Sequence, residues 1–285
     1  MNSLNYGDLH VSYSDTGKGC PLILLHAGGS SSRQWRKVGQ SLTDSYRLIA
    51  PDLIGFGETT RWPIRGQLTH DHQADLVVRL IEKTIDDAVH IVAHSYGGAT
   101  AIRLYLTRPE LVSSLVLIEP MVNMLLKQSG DIKLFEEFIS FSNFFIKTAS
   151  SGDTRSAWKT FIDLRNGTGT WDNLSEGAQN RFLSKTLGTV DAFKSNLINP
   201  TTLVDIRRIC VPTLLIRGEN TTPPERRVTE ILYYEIPDCE FEIVSDAEHM
   251  SPLTHPLDVA QLIDAHVQTL NGEERKSDLK SEYII

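Results

Sequence analysis

The stretch of this chain best equipped for chemistry is Val89-His90-Ile91-Val92-Ala93-His94-Ser95-Tyr96-Gly97-Gly98-Ala99. An apolar run of strand character ends at a serine, and helix-forming sequence starts at once. Ala93 and Gly97 sit two residues before and two after Ser95, giving G-x-S-x-G with alanine in the first slot. A serine on a sharp strand-to-helix turn needs small neighbours, because its strained backbone packs closely against adjacent strands. The helix N-terminus then directs free N–H groups and positive dipole at an oxyanion forming on a substrate. The spacing suits nucleophilic attack by Ser95 on an acyl carbon. Alone, A-x-S-x-G equally describes a buried serine in an ordinary strand–helix turn, so the elements around it must decide.

Those elements alternate. Leu9–Ser14, Pro21–Leu25 and Arg47–Ala50 read as strands, the last running into Pro51-Asp52. The spacing of Leu76, Val77, Leu80 and Ile81 predicts a helix over Thr69–Thr84. Ala88–Val92 is the strand that delivers Ser95, and the helix behind the serine runs to Leu106, ahead of Arg108-Pro109. Ser114–Ile118, Thr213–Ile216 and Glu240–Val244 are further short strands, and the last helix covers Pro256–Leu270. Apolar strands alternating with helices predict an α/β fold, a mostly parallel twisted sheet with helices on both faces.

Residues 121–200 break this rhythm. Their pattern is helical, with polar breaks such as Asn166-Gly167-Thr168-Gly169, and they hold eight of the chain's ten phenylalanines. Phe135, Phe138, Phe141 and Phe145 fall three to four apart, as on one face of a helix. The expectation is a helical cap inserted between two sheet strands, dividing the core into 1–120 and 201–270. Most of its aromatics are expected to pack the cap onto the core. From Asn271 to Ile285 the chain is polar and charged, and a disordered tail is expected.

Composition bounds the partners. With 285 residues, 40% of them hydrophobic, the chain can bury a full core. A net charge of −8 argues against nucleic acid or anionic membrane as a partner, since binding phosphates needs a basic surface. Arg207-Arg208 and Arg226-Arg227 come in pairs, but no basic run is sustained. The start of the chain lacks the positive charge and apolar core of a signal peptide, and no apolar stretch is long enough to span a bilayer. Cys20, Cys210 and Cys239 are odd in number and widely spaced. They suggest reduced, buried thiols of a cytoplasmic protein and make no disulfide framework. No metal or other cofactor is implied, because no His/Cys/Asp cluster has ligand spacing.

From Leu9 to Leu270 the chain resembles a capped α/β-hydrolase. Four motifs carry the resemblance, in order: His26-Ala27-Gly28-Gly29 after a strand, Pro51-Asp52-Leu53-Ile54-Gly55-Phe56-Gly57, the elbow at Ser95, and Glu248-His249-Met250 near the C-terminus. The resemblance implies that the loop at His26 lies beside the nucleophile and lends a backbone oxyanion donor. That donor would be the N–H of Gly28, ahead of Ala27, paired with the N–H of Tyr96. His26 would brace the loop, Asp52, Gly55 and Gly57 would shape a tight turn, and His94 would point away from the substrate. His249 falls where the family places its general base, on a short loop between a strand and the Pro256 helix start. His70 and His72 at a helix start, His90 within a strand and His255 before a proline have no such context. His249 would accept the Ser95 proton on attack and return it to the leaving group.

The acid departs from the family pattern. Relatives commonly carry it as Gly-x-x-Asp after the strand matching Thr213–Ile216, but here the stretch is Gly218-Glu219-Asn220-Thr221, and threonine cannot hold charge. Glu219 is close but two residues early. Glu119 ends Leu115-Val116-Leu117-Ile118-Glu119-Pro120, a strand that in the family neighbours the serine strand. Carboxyl ends of parallel strands are where such sites gather, and some relatives resemble this arrangement in taking their acid from that strand. Glu119 is therefore the expected acid, with Glu219 the alternative. The implied activity is a serine hydrolase acting on an ester, lactone or thioester of a small, partly apolar substrate. No basic clamp for an anionic substrate is evident. Hydrolysis of a carbon–carbon bond beside a ketone is the enzymatic alternative, and Thr221 keeps open a ligand receptor of little or no turnover.

Overall fold

The computed structural model describes residues 1–63 and 66–272. The strands are β1 (Asn2–Tyr6), β2 (Leu9–Gly17), β3 (Cys20–Leu25), β4 (Tyr46–Pro51), β5 (Val89–His94), β6 (Val112–Ile118), β7 (Thr213–Gly218) and β8 (Cys239–Val244). They form one eight-stranded sheet in the order β1-β2-β4-β3-β5-β6-β7-β8. The β1/β2 and β2/β4 pairs are antiparallel, and β4/β3 and every pair beyond it is parallel. β1 is the strand that sequence pattern did not announce. Asn2, Ser3 and Asn5 are polar and exposed, Leu4 alone is buried, and the strand exists as an edge hairpin turned at Gly7, whose φ is 57°.

The interior strands read as continuous apolar runs because both of their faces are covered. Every residue of β5 and of β7 is buried. Alternation sends Ile23, Leu25 and Ile91 into one core, and Leu22, Leu24 and Val92 into the other. The first core is closed by α1 (His70–Thr84) and α2 (Tyr96–Thr107), with Leu76, Val77, Leu80 and Ile81 facing inward as their spacing predicts. Thr69 starts α1 sharply, its hydroxyl accepting the His72 N–H at 3.2 Å.

Four longer helices stand between β6 and β7: α3 (Ile132–Ser150), α4 (Thr154–Asn166), α5 (Glu176–Leu183) and α6 (Thr186–Leu197). They have their own small core, in which Phe145, Trp158, Trp171 and Phe193 are buried. The chain returns through β7, α7 (Pro223–Glu235), β8 and α8 (Pro256–Gly272). Val259, Ile263 and Val267 of α8 close the second core. That helix takes in Asn271 and Gly272, the first residues of the expected tail; the rest of the tail lies outside the described residues. No helix among the described residues is long and apolar enough to cross a membrane.

This topology fixes where a site can form. From β3 the chain moves outward to β4, then returns to place β5 on β3's other side. The crevice at such a switch point lies beyond the carboxyl ends of the strands. The loop after β3, Ser95 after β5, Glu119 after β6 and His249 after β8 all leave the sheet at that end.

Candidate active site

Ser95 sits between β5 and α2 with φ 55° and ψ −114°, a conformation costing about 1–3 kcal/mol in a non-glycine residue. Neighbouring backbone holds it there. The Ser95 N–H donates to the Ile118 carbonyl at 2.9 Å, and its own carbonyl accepts the Met121 N–H at 3.0 Å. The small residues after it are obligatory. A Cβ at Gly97 would lie 2.5 Å from the Leu25 carbonyl oxygen, and one at Gly98 2.6 Å from the Pro120 side chain. The elbow is thus wedged between β3 and the chain leaving β6, and the serine hydroxyl is thrust above the sheet.

The structure brings Ser95, His249 and Glu119 together. The Ser95 hydroxyl lies 3.0 Å from His249 Nε2, and His249 Nδ1 lies 2.6 Å from Glu119 Oε2. A carboxylate only accepts, so the imidazole carries its proton on Nδ1, donates it to Glu119, and turns the Nε2 lone pair towards the serine. Glu119 is 1% exposed and is the second non-glycine residue with positive φ, at 43°. Burial alone would raise its carboxyl pKa. The neighbouring His249, by its electrostatic attraction and its hydrogen bond, and the hydrogen bonds from Thr221 and the Gly218 N–H outweigh burial and hold it at about 2.

Thr221 carries no charge, yet it helps hold the Glu119 carboxylate. Its hydroxyl donates to Glu119 Oε2 at 2.6 Å, while the Gly218 N–H donates to Oε1 at 2.8 Å. Glu219, the alternative acid, is turned elsewhere: its Oε2 accepts the Asp246 N–H at 3.0 Å and so steadies the loop leading to His249.

The loop after β3 faces the serine. The Ala27 N–H is already committed to Gln34 Oε1 at 3.2 Å, which leaves Gly28 as the next backbone donor along the loop. Tyr96 is the first residue of α2, where an N–H has no partner within the helix. His26 braces the loop, Nδ1–H donating to the Ala27 carbonyl at 2.7 Å and Nε2 accepting the Leu53 N–H at 3.0 Å. Burial holds its pKa down at about 4, so it stays neutral. Asp52 accepts the Ser32 N–H at 2.7 Å and the Glu58 N–H at 2.9 Å, which ties its own tight turn.

A pocket of about 350 Å³ opens over Ser95 and His249. The helices between β6 and β7 supply its aromatic wall: Trp158, Phe161, Phe182 and Phe193. The Phe135/Phe138/Phe141/Phe145 stripe does not line this pocket. α3 stands behind the wall, and Phe145 packs edge-on to Trp158 and within 4.8 Å of Phe193, ring centre to ring centre. Truncating the wall and truncating the layer behind it should therefore differ. Phe161→Ala should change preference among acyl chain lengths with little loss on a small activated ester. Phe145→Ala should lower thermal stability, costing about 3–5 kcal/mol as buried Phe→Ala changes do. Melting curves and a chain-length series on both variants check this.

Two cations beside the pocket escaped sequence reading, because neither belongs to a run. Arg165, 8% exposed, pairs with Glu225 at 2.8 Å through one nitrogen, leaving Nε and Nη1 buried without a partner. Lys185 is pressed below its usual pKa by burial and then by Arg181. No basic clamp is evident in the sequence, and Arg165 and Lys185 correct that reading by placing basic groups at the pocket.

A family model for the α/β-hydrolase fold matches residues 21–256. The chain is 38% identical over 122 residues to a 2-hydroxy-6-oxo-6-(2'-aminophenyl)hexa-2,4-dienoic acid hydrolase of Metapseudomonas resinovorans, a match covering 40% of each chain. It is 33% identical over 110 residues to a pimeloyl-[acyl-carrier protein] methyl ester esterase of Aeromonas salmonicida, covering 39% of this chain and 41% of the other. The matches thus span about two-fifths of these curated relatives. Among solved structures, a thermophilic esterase of Thermogutta terrifontis superposes with a TM-score of 0.75 at 18% identity, over 95% of this chain and 99% of that one. At that identity the likeness speaks to the fold alone.

Proposed function

The chain belongs to the α/β-hydrolase family, and we propose that it is a serine hydrolase forming an acyl-enzyme on Ser95. The observation that carries this is the continuous path from Ser95 Oγ to His249 at 3.0 Å and on to Glu119 at 2.6 Å, opening into a mostly apolar pocket. His249 takes the serine proton as Oγ attacks, the Gly28 and Tyr96 N–H groups receive the oxyanion, and His249 then protonates the leaving group. Water repeats the sequence on the acyl-enzyme. The helices between β6 and β7 act as a cap that selects the acyl group. The substrate class is an ester, lactone or thioester of a small, partly apolar acid. The receptor alternative rests on Thr221, and a Thr221 hydroxyl donated to Glu119 weighs against it.

One observation favours a second reading, hydrolysis of a carbon–carbon bond in a diketone-type acid. Arg165 offers two unpartnered nitrogens beside the pocket, suited to a carboxylate at the far end of the substrate. The dienoic acid named for the Metapseudomonas relative has such a group. Turnover of neutral acyl esters of graded length, half-esters of dicarboxylic acids and a ring-fission diketone acid separates the two. Ester turnover well above diketone turnover is the expected result. The reverse order would overturn the esterase reading in favour of the second. In either case Arg165→Gln should raise KM for acids about tenfold or more, the loss of one charge-assisted hydrogen bond, and leave neutral esters nearly unchanged.

A further inference from the structure

Gln34 and His94 lie behind the triad, and the reaction just described uses neither. Gln34 is 3% exposed, in the turn after β3, and His94 is wholly buried at the end of β5. Gln34 Oε1 accepts the Ala27 N–H at 3.2 Å, and its amide nitrogen donates to His94 Nδ1 at 3.1 Å. His94 Nε2–H donates to the backbone carbonyl of His249 at 2.9 Å. A single hydrogen-bonded path therefore runs from the loop that carries Gly28, past the elbow, to the residue that carries the base.

Every proton on this path is fixed by its neighbours. The His249 carbonyl only accepts, so His94 must hold its proton on Nε2. Nδ1 is then an acceptor, which requires the Gln34 amide nitrogen opposite it and the Gln34 oxygen towards the Ala27 N–H. A protonated His94 would set an Nδ1–H against the Gln34 NH2. Burial first, and the nearby His249 charge second, hold the His94 pKa down at about 3. With the two imidazole rings 5.0 Å apart, His94 stays neutral while His249 takes up the serine proton.

We propose that Gln34 and His94 are positioning residues, a strut that sets the distance between the oxyanion loop and the base. The proposal rests on the serine-hydrolase reading. In that reaction negative charge grows at Gly28 while positive charge grows on His249, so the two must be registered to a fraction of an ångström. A displacement of about 1 Å costs about 10²-fold in rate. Neither residue touches the pocket, so the strut acts on turnover and leaves binding alone.

Side-chain geometry allows each arm to be cut separately. In His94→Asn the amide oxygen replaces Nδ1 and keeps the Gln34 arm. In His94→Gln the amide nitrogen replaces Nε2 and keeps the His249 arm. His94→Phe and Gln34→Leu remove their polar contacts with similar volume. The test is steady-state kinetics on the best ester, with the rate of fluorophosphonate labelling of Ser95 and the melting temperature of each variant. His94→Phe should lower kcat by about 10–100-fold with KM nearly unchanged, and each amide variant should recover part of the loss. The Gln34→Leu/His94→Phe double variant should be no worse than the poorer single one, because the two act as a unit. Folded variants at wild-type kcat, equal changes in kcat and KM, or fully additive losses overturn the strut. If His94→Phe does not fold, Gln34→Leu and the two amide variants carry the same comparison. Labelling of the wild type that survives Ser95→Ala would overturn the hydrolase reading instead.

Discussion

Ser95→Ala should abolish both turnover and covalent labelling by a fluorophosphonate, which should modify the wild-type protein once, at residue 95. The elbow geometry is the reason. Ser95 spends conformational energy on a positive φ that a buried structural serine would have no cause to adopt, and neighbouring backbone bonds hold it there. Its hydroxyl faces the only atom of His249 free to take a proton. His249→Ala should be about as damaging as Ser95→Ala, and the double variant no worse. In the worked serine-protease case, losing either residue costs about as much as losing the whole triad, roughly 10⁶-fold in kcat. Melting temperatures should stay close to wild type, because Ala at 95 removes only a hydroxyl and no packed side chain. Labelling that persists in the alanine variant would sink the nucleophile assignment. Retained turnover in His249→Ala would sink the base.

How much of this was legible in sequence depends on whether each feature is local. The elbow was, because its strand, serine and small residues lie within eleven consecutive positions and each is required for a local steric reason. The α1 stripe was, because burial on one face imposes a helical period. β1 was not, since an edge strand with one buried residue leaves no alternation to read. The phenylalanine stripe is legible, but its period cannot say what the face it marks meets, and only its Phe141 and Phe145 end packs into the core of the inserted helices. Arg165 and the Gln34–His94 pair were invisible for a further reason. Their roles arise from partners 60 or more positions away, Glu225 for one and His94 and His249 for the other, and nothing local marks such a meeting. Thr221 was read for the charge it lacks, and the hydroxyl it contributes could be weighed only once Glu119 stood beside it.

Glu119→Gln is the sharper wager, because the hydrogen bonds around residue 119 dictate how the amide would settle. The Gly218 N–H needs an acceptor, so the glutamine oxygen takes the Oε1 position and its NH2 takes that of Oε2. That NH2 then faces His249 Nδ1, which can meet a donor only by giving up its proton. The proton moves to Nε2 and points at Ser95, so the base is held in the tautomer that cannot accept. The equivalent change in the serine-protease template costs about 10⁴-fold in kcat. We expect kcat to fall by roughly 10²- to 10⁴-fold, with KM and melting temperature much less affected, since the shape is preserved. Glu219→Gln, which exchanges one acceptor for another opposite the exposed Asp246 N–H, should cost less than about tenfold. Thr221→Asp in the Glu119→Gln background should recover part of the activity. It returns a carboxylate to the loop where the family commonly carries one, at the residue whose side chain already meets Glu119 Oε2. A Glu119→Gln enzyme at wild-type rate alongside an inactive Glu219→Gln would move the acid to the Gly218 loop, and Thr221→Asp would then have nothing to restore.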